Sequence, residues 1–119
     1  MKKIKTLKKN YEFKKVLNKG NFYIGKQITI YINKNKLFEN AIGIAIGSKT
    51  GKAVERNHIK RLIRENYYKY KNQDLLKNGY NIVFLWNKNT NVKDASYHII
   101  KKDMEKILKK SNLLKKDEV

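Results

Sequence analysis

Two stretches of this chain alternate with period two, and they restrict the fold to one built around a sheet. In residues 27–32, Ile28, Ile30 and Ile32 point to one side while Gln27, Thr29 and Tyr31 point to the other, the pattern of a half-buried strand. Residues 41–47 set Ile42, Ile44 and Ile46 against Gly43, Ala45 and Gly47. One face of that strand is bulky, and the other is small enough for a second backbone or a ligand to approach closely. Residues 80–86 read as a buried-type strand, with a continuous apolar run over residues 82–86. Residues 21–25 allow a further short strand, and residues 33–40 read as a polar turn region.

Helical spacing accounts for most of the remainder. Residues 10–19 carry the stripe Phe13, Val16 and Leu17, with Asn10 as N-cap, Glu12 in the first turn and Gly20 past the end. A second helix is expected over residues 53–71. A third is expected over residues 91–110, with the stripe Val92, Ala95, Ile99, Ile100, Ile107 and Leu108. The element order α-β-β-β-α-β-α predicts an α/β chain of the α+β two-layer sandwich kind: a mixed four-stranded sheet packed with three helices.

At 119 residues this is one domain spanning 1–119, with residues 1–6 and 112–119 expected to be flexible ends. Cysteine is absent, which excludes disulfides and thiolate zinc sites and fits a reducing, cytoplasmic location. The longest apolar runs, 41–47 and 82–86, are strand-sized, whereas a membrane span needs about 20 residues. No apolar stretch follows Met1-Lys2-Lys3, so neither a signal peptide nor a membrane partner is expected.

Charge selects the class of partner. There are 29 basic and 10 acidic side chains, a formal net charge of +19, and such a field attracts polyanions and gains affinity by releasing their counterions. The abundance of Asn and Ile points to an AT-rich genome, which also favours lysine, so arginine is the sharper signal. Arg56, Arg61 and Arg64 are the only arginines, and all three lie within nine residues. A planar guanidinium binds phosphate bidentately and stacks on bases, which an ammonium cannot do. On a helical wheel Arg56, Asn57, Lys60, Arg61 and Arg64 share an arc roughly opposite Ile59, Leu62, Ile63 and Tyr70. The alternative is a solvated helix whose arginines pair with Glu55 and Glu65. Lys49 and Lys52, just ahead of this helix, would add phosphate contacts beside its free N–H groups.

A catalytic centre is harder to find. The acids are scattered, without the clustering that a two-metal site needs. His58 and His98 lie on different predicted elements, so an acid–base pair is not indicated and both read as structural or solvated. The strand, Gly/Lys loop and helix of residues 44–54 fail as a phosphate loop. Three residues rather than four separate Gly47 from Gly51, and Ala53 replaces the magnesium-binding Ser or Thr. Structured or ribosomal RNA and, less well, DNA would also suit a basic helix on a sheet.

The wording of the central segment is more specific. AVERNHIKRLIREN (residues 53–66) resembles the arginine-rich signature of the bacterial ribonuclease P protein component, matching it at Ala53, Val54, Arg56, Asn57, Lys60, Arg61 and Arg64. The likeness continues through LKKNYEFKKVLNKG (residues 7–20) and AIGIAIGSKTG (residues 41–51) and covers nearly the whole chain. His58 stands where that family usually has arginine, and Leu17 where an aromatic is common.

The resemblance implies a subunit that assists a catalytic RNA in removing the 5′ leader of precursor tRNA. The magnesium ions of the reaction would belong to the RNA, and the protein itself would hold no metal or cofactor and no catalytic residue. Arg56, Asn57, His58, Lys60, Arg61, Arg64, Lys49 and Lys52 would face ribonuclease P RNA. Phe13, Leu17 and Tyr31 would line the leader cleft of precursor tRNA, although an aromatic in a helix stripe such as Phe13 also suits a core. A monomer bound one-to-one to the RNA is implied, as is a left-handed crossover through the basic helix, where periodicity alone suggests the common right-handed one.

Overall fold

The structure, a computed structural model, describes residues 4–115. β5 (Tyr80–Trp86) lies at the centre of the sheet, as the apolar run of residues 82–86 within it leads one to expect. Ile82, Val83 and Phe84 are all fully buried, so both faces of this strand are covered. β3 (Ile28–Lys34) pairs antiparallel with β5 on one side, and β4 (Ala41–Ala45) pairs parallel with it on the other. β2 (Asn21–Ile24) extends the sheet beyond β3.

The sheet has five strands rather than four, in the order β1-β4-β5-β3-β2. The additional strand, β1 (Lys5–Thr6), comes from the segment expected to be a flexible end. It runs parallel to β4, with Lys5 opposite Ala41 and Thr6 opposite Ile42, and the Leu7 N–H donates to the Ile42 carbonyl at 2.8 Å. Leu7 is buried with Val16 and Val83, and that burial fastens the short strand in place. The other end of the chain behaves similarly. Leu113 is buried, its carbonyl accepts from the Lys77 N–H at 2.8 Å, and Leu114 bridges to Leu76. Residues 4–6 and 112–115 are therefore packed against the domain, while 1–3 and 116–119, the rest of the expected flexible ends, lie outside the described residues.

Helices cover both faces of the sheet. α2 (Ala53–Asn72) and α3 (Tyr97–Lys110) cover the face bearing Ile28, Ile30, Ile32, Ile42, Ile82, Phe84 and Trp86. α2 contributes Ile59, Leu62, Ile63 and Tyr70 to this core, the residues the wheel assigns to packing, and adds Tyr67. Tyr67 meets Phe84 edge-on at 5.8 Å. α1 (Asn10–Lys19) lies on the opposite face, where Val16 packs with Ala41 and Val83, and it forms a partial third layer. α2 carries the chain between the parallel neighbours β4 and β5.

Local chemistry sets the helix ends. Asn10 is the first helical residue rather than the cap. The cap is Lys9, and the Glu12 carboxylate accepts its N–H at 3.1 Å and that of Lys8 at 3.3 Å. Glu55 does the same for the Lys52 N–H at 2.8 Å. The last predicted helix is broken: Val92–Asp94 is a 3-10 turn, and α3 starts afresh at Ser96, whose hydroxyl accepts the Ile99 N–H. Gln27 holds this break, donating to the Asp94 carbonyl at 2.7 Å and accepting from the Ser96 N–H at 3.1 Å. Gln27 and Thr29, on the polar side of the strand expected over residues 27–32, are buried rather than solvated. No helix among the described residues is long and apolar enough to cross a membrane.

Candidate nucleic-acid interface

The basic side of α2 is exposed where the sheet-facing side is sealed. Asn57, His58, Arg61 and Arg64 are exposed, and Lys60 and Arg56 are partly so. Their engagements differ. Arg56 bends back over the loop before the helix, donating to the Gly51 carbonyl at 2.8 Å and the Thr50 carbonyl at 3.3 Å. That fork is partly occupied in closing the turn at Gly51, whose φ of +60° lies in the left-handed region. Arg61 lies 3.3 Å from His58 Nδ1 and 4.0 Å from Glu65. Lys60 and Arg64 make no hydrogen bond or ion pair among the described residues, and Lys49 and Lys52 stand exposed ahead of the helix.

The tertiary structure divides this face into two recesses, which the wheel merges into one arc. On one flank a groove of 610 Å³ lies between α2 and the segment before α3, lined by Asn57, His58 and Arg61 together with Val92, Lys93 and Ala95. On the other flank a smaller recess of 210 Å³ is lined by Lys60, Arg64, Phe13, Gly43 and Thr6. It wraps round the edge of β4, which β1 leaves unpaired beyond Ile42. Lys60 and Arg64 thereby face α1, whereas Asn57, His58 and Arg61 face Lys93. Nothing in the sequence singles out Lys93 among so many lysines, because its role depends on the 3-10 turn lying beside α2.

Phe13, Leu17 and Tyr31, which are far apart in sequence, gather round Val16, Val83 and Ala45 on the α1 side of the sheet. The small face of β4 explains how. A Cβ at Gly43 would sit 2.4 Å from the Phe13 ring, so glycine is what admits that ring against the strand. All three side chains are only partly buried. They combine packing with an accessible surface, and Phe13 itself packs against the core cluster of Val16 and Val83. Phe22, in sequence terms only part of a short possible strand, extends this surface. It lies directly across from Tyr31 in the β2–β3 register, with ring centroids 5.5 Å apart, and is 57% exposed. The exposed pair Phe22 and Ile24, two apart in an edge strand, is the sequence signal that marks it.

The arrangement suits binding single-stranded and structured RNA: an aromatic strip on which bases stack, joined round a strand edge to uncommitted cations. His58 and His98 sit on α2 and α3 and are both exposed. Among the described residues no three of His, Cys, Asp and Glu converge in a group that could hold a metal ion.

Known proteins resemble this chain over nearly its whole length. The family model for ribonuclease P matches residues 1–112. The ribonuclease P protein component of Natranaerobius thermophilus is 36% identical over 117 residues, covering 98% of each chain. That of Fusobacterium nucleatum is 40% identical over 111 residues, covering 92% of this chain and 98% of its own. The RNase P protein of Staphylococcus aureus has the same fold, with a TM-score of 0.79 and 30% identity over 95% of this chain and all of that one. With the arginine helix, the five-stranded sheet and near-full-length similarity in agreement, this chain belongs to the ribonuclease P protein component family.

Proposed function

We propose that this protein holds the 5′ leader of precursor tRNA on the α1 side of its sheet while α2 docks on the catalytic RNA. As a ribonuclease P protein component it is the protein subunit of a holoenzyme endoribonuclease that matures the 5′ end of tRNA, and catalysis belongs to the RNA. Its partner is accordingly an RNA. The observation that carries the finer reading is the continuity between Phe13, Leu17, Tyr31 and Phe22 on the open face and Lys60 and Arg64 at the β4 edge. A single strand laid across that face stacks its bases on the aromatics and brings its phosphates to the cations.

Asn57, His58 and Arg61, with Lys49, Lys52 and the free donors of Arg56, face the ribonuclease P RNA; Lys60 and Arg64, expected on that RNA from the resemblance, lie beside Phe13 and are assigned to the leader in this reading. Magnesium ions stay with that RNA, and the protein acts as a monomer, one per RNA, in the cytoplasm. The direct test is cleavage of a precursor tRNA by ribonuclease P RNA at low magnesium, with and without this protein. Stimulated cutting at the mature 5′ end, and none by protein alone, is expected; tight RNA binding without stimulation would favour a general structured-RNA binder. Replacing Arg61 or Arg64 with Ala should lower the salt dependence of RNA binding by about one ion each. An unchanged slope in both variants would remove these arginines from the interface.

A further inference from the structure

The loop between β3 and β4 displays a side chain that the fold does not use. Phe38 is 98% exposed and its neighbour Leu37 is 46% exposed, in a segment whose composition reads as a plain polar turn. The loop is nevertheless built with care. The Asn35 carboxamide accepts the Leu37 N–H at 2.8 Å and donates to Asn81 Oδ1 at 2.9 Å and to the Glu39 carbonyl at 3.3 Å. The Asn35 N–H donates to the Gly79 carbonyl at 2.8 Å. At the far end of the loop, buried Asn40 donates to the Lys77 carbonyl and accepts from the Tyr80 N–H. Both roots of the loop are therefore tied to the start of β5, and Phe38 is presented from a braced support.

Charge says what the ring meets. Lys34 and Lys36 are exposed on its N-terminal side. The one acid of the loop, Glu39, is neutralised by Lys5 at 3.2 Å. The local field is cationic around an aromatic face, the combination that captures an unstacked base with its flanking phosphates. This position is separate from the two surfaces described above. Lys34 pairs with Tyr80 at the start of β5, whereas α2 begins beyond the opposite, C-terminal end of β4.

We propose that Phe38 is a third RNA contact, stacking on an unpaired base of the ribonuclease P RNA while Lys34 and Lys36 meet the adjoining phosphates. The inference rests on the RNA-subunit reading, and its test separates the two. Phe38→Ala and Phe38→Trp are made in the full chain and titrated with ribonuclease P RNA, the unaltered protein serving as reference. Because Phe38 touches so little of the fold, both variants should keep the reference circular dichroism and melting temperature.

Phe38→Ala should weaken binding about tenfold, the scale of one lost base stack. The introduced tryptophan should be quenched on binding, against the constant signal of buried Trp86. Unchanged affinity and unchanged emission, with the reference protein binding normally, would overturn the contact and leave the function standing. Failure of the reference protein to bind RNA would overturn the function and the contact together. If Phe38→Ala instead abolished self-association of the free protein in sedimentation velocity, the loop would join two copies of this chain and the RNA assignment would be wrong.

Discussion

The two faces of the sheet are made from the same strands and serve different ends. On the α2 and α3 side, Ile28, Ile30, Ile42, Ile82 and Phe84 are buried to 1% exposure or less, and two long helices close over them. On the α1 side one ten-residue helix covers Ala41 and Val83, and the sheet beyond it stays open at Tyr31 and Phe22. Register shows how finely the division is drawn: Tyr31 faces the open side and Ile30 the sealed side, one residue apart. A strand whose two neighbours point to opposite faces can anchor the core with one and offer the other to a ligand. On the proposed function, stability is concentrated on one side and leader binding on the other, and mutations should separate accordingly.

The largest expected effect lies on the sealed face. Phe84→Ala removes a fully buried ring against Tyr67 and should destabilise the protein by about 3–5 kcal/mol, measured by urea denaturation. A loss below about 1 kcal/mol would mean that this face is not the main core. Gly43→Val crosses the comparison, because its added side chain projects into the Phe13 ring. Displacing that ring should cost about 1–3 kcal/mol of stability. It should also erase the preference for precursor over mature tRNA, since Phe13 and α1 form one wall of the open face. An intact preference would detach α1 from leader binding.

The smallest change in stability is expected at Tyr31, which is only half buried. Tyr31→Ala should weaken binding of leader-bearing tRNA by about 1–3 kcal/mol while mature tRNA is bound as before. Equal weakening of both, accompanied by a lower melting temperature, would place Tyr31 with the core instead.

The arginine helix was the most legible part of the molecule. Ile59, Leu62, Ile63 and Tyr70, which the wheel assigns to packing, are buried, as are Asn66 and Tyr67, which it does not name; the cations assigned to the partner are exposed or partly so. Such an inference needs only helical periodicity, a property of residues three and four apart. The strands read well for the same reason, with Tyr80–Trp86 falling within the expected bounds. The candidate site was legible residue by residue but not as a surface. Arg56 turns back to close its own loop, and the arc of cations divides between two recesses because the 3-10 turn lies on one flank and the β4 edge on the other.

Two misreadings and one contact that no local pattern marks share a physical cause. β1 is two residues long and carries no periodicity of its own; its pairing exists because β4 offers an edge and Leu7 finds a buried seat. The last predicted helix breaks because Gln27, some seventy residues earlier, hydrogen-bonds on both sides of the gap. Asp103 lies on α3 yet fixes the β2–β3 turn, accepting the N–H groups of Lys26, Gln27 and Ile28 at 2.8–3.1 Å. In each case a partner distant in sequence decides a local structure, and local patterns carry no record of such partners.

By itself, then, the sequence determined what depends on near neighbours and on composition: the strand and helix periods, the polyanion-seeking charge, the arginine signature and the family it announces. Tertiary structure alone decided which faces meet. It seated Phe13 on Gly43, set Phe22 beside Tyr31, and left Phe38 on a braced loop with nothing over it. The reason is that packing brings together side chains whose separation along the chain bears no relation to their separation in space, and only the folded sheet fixes that relation.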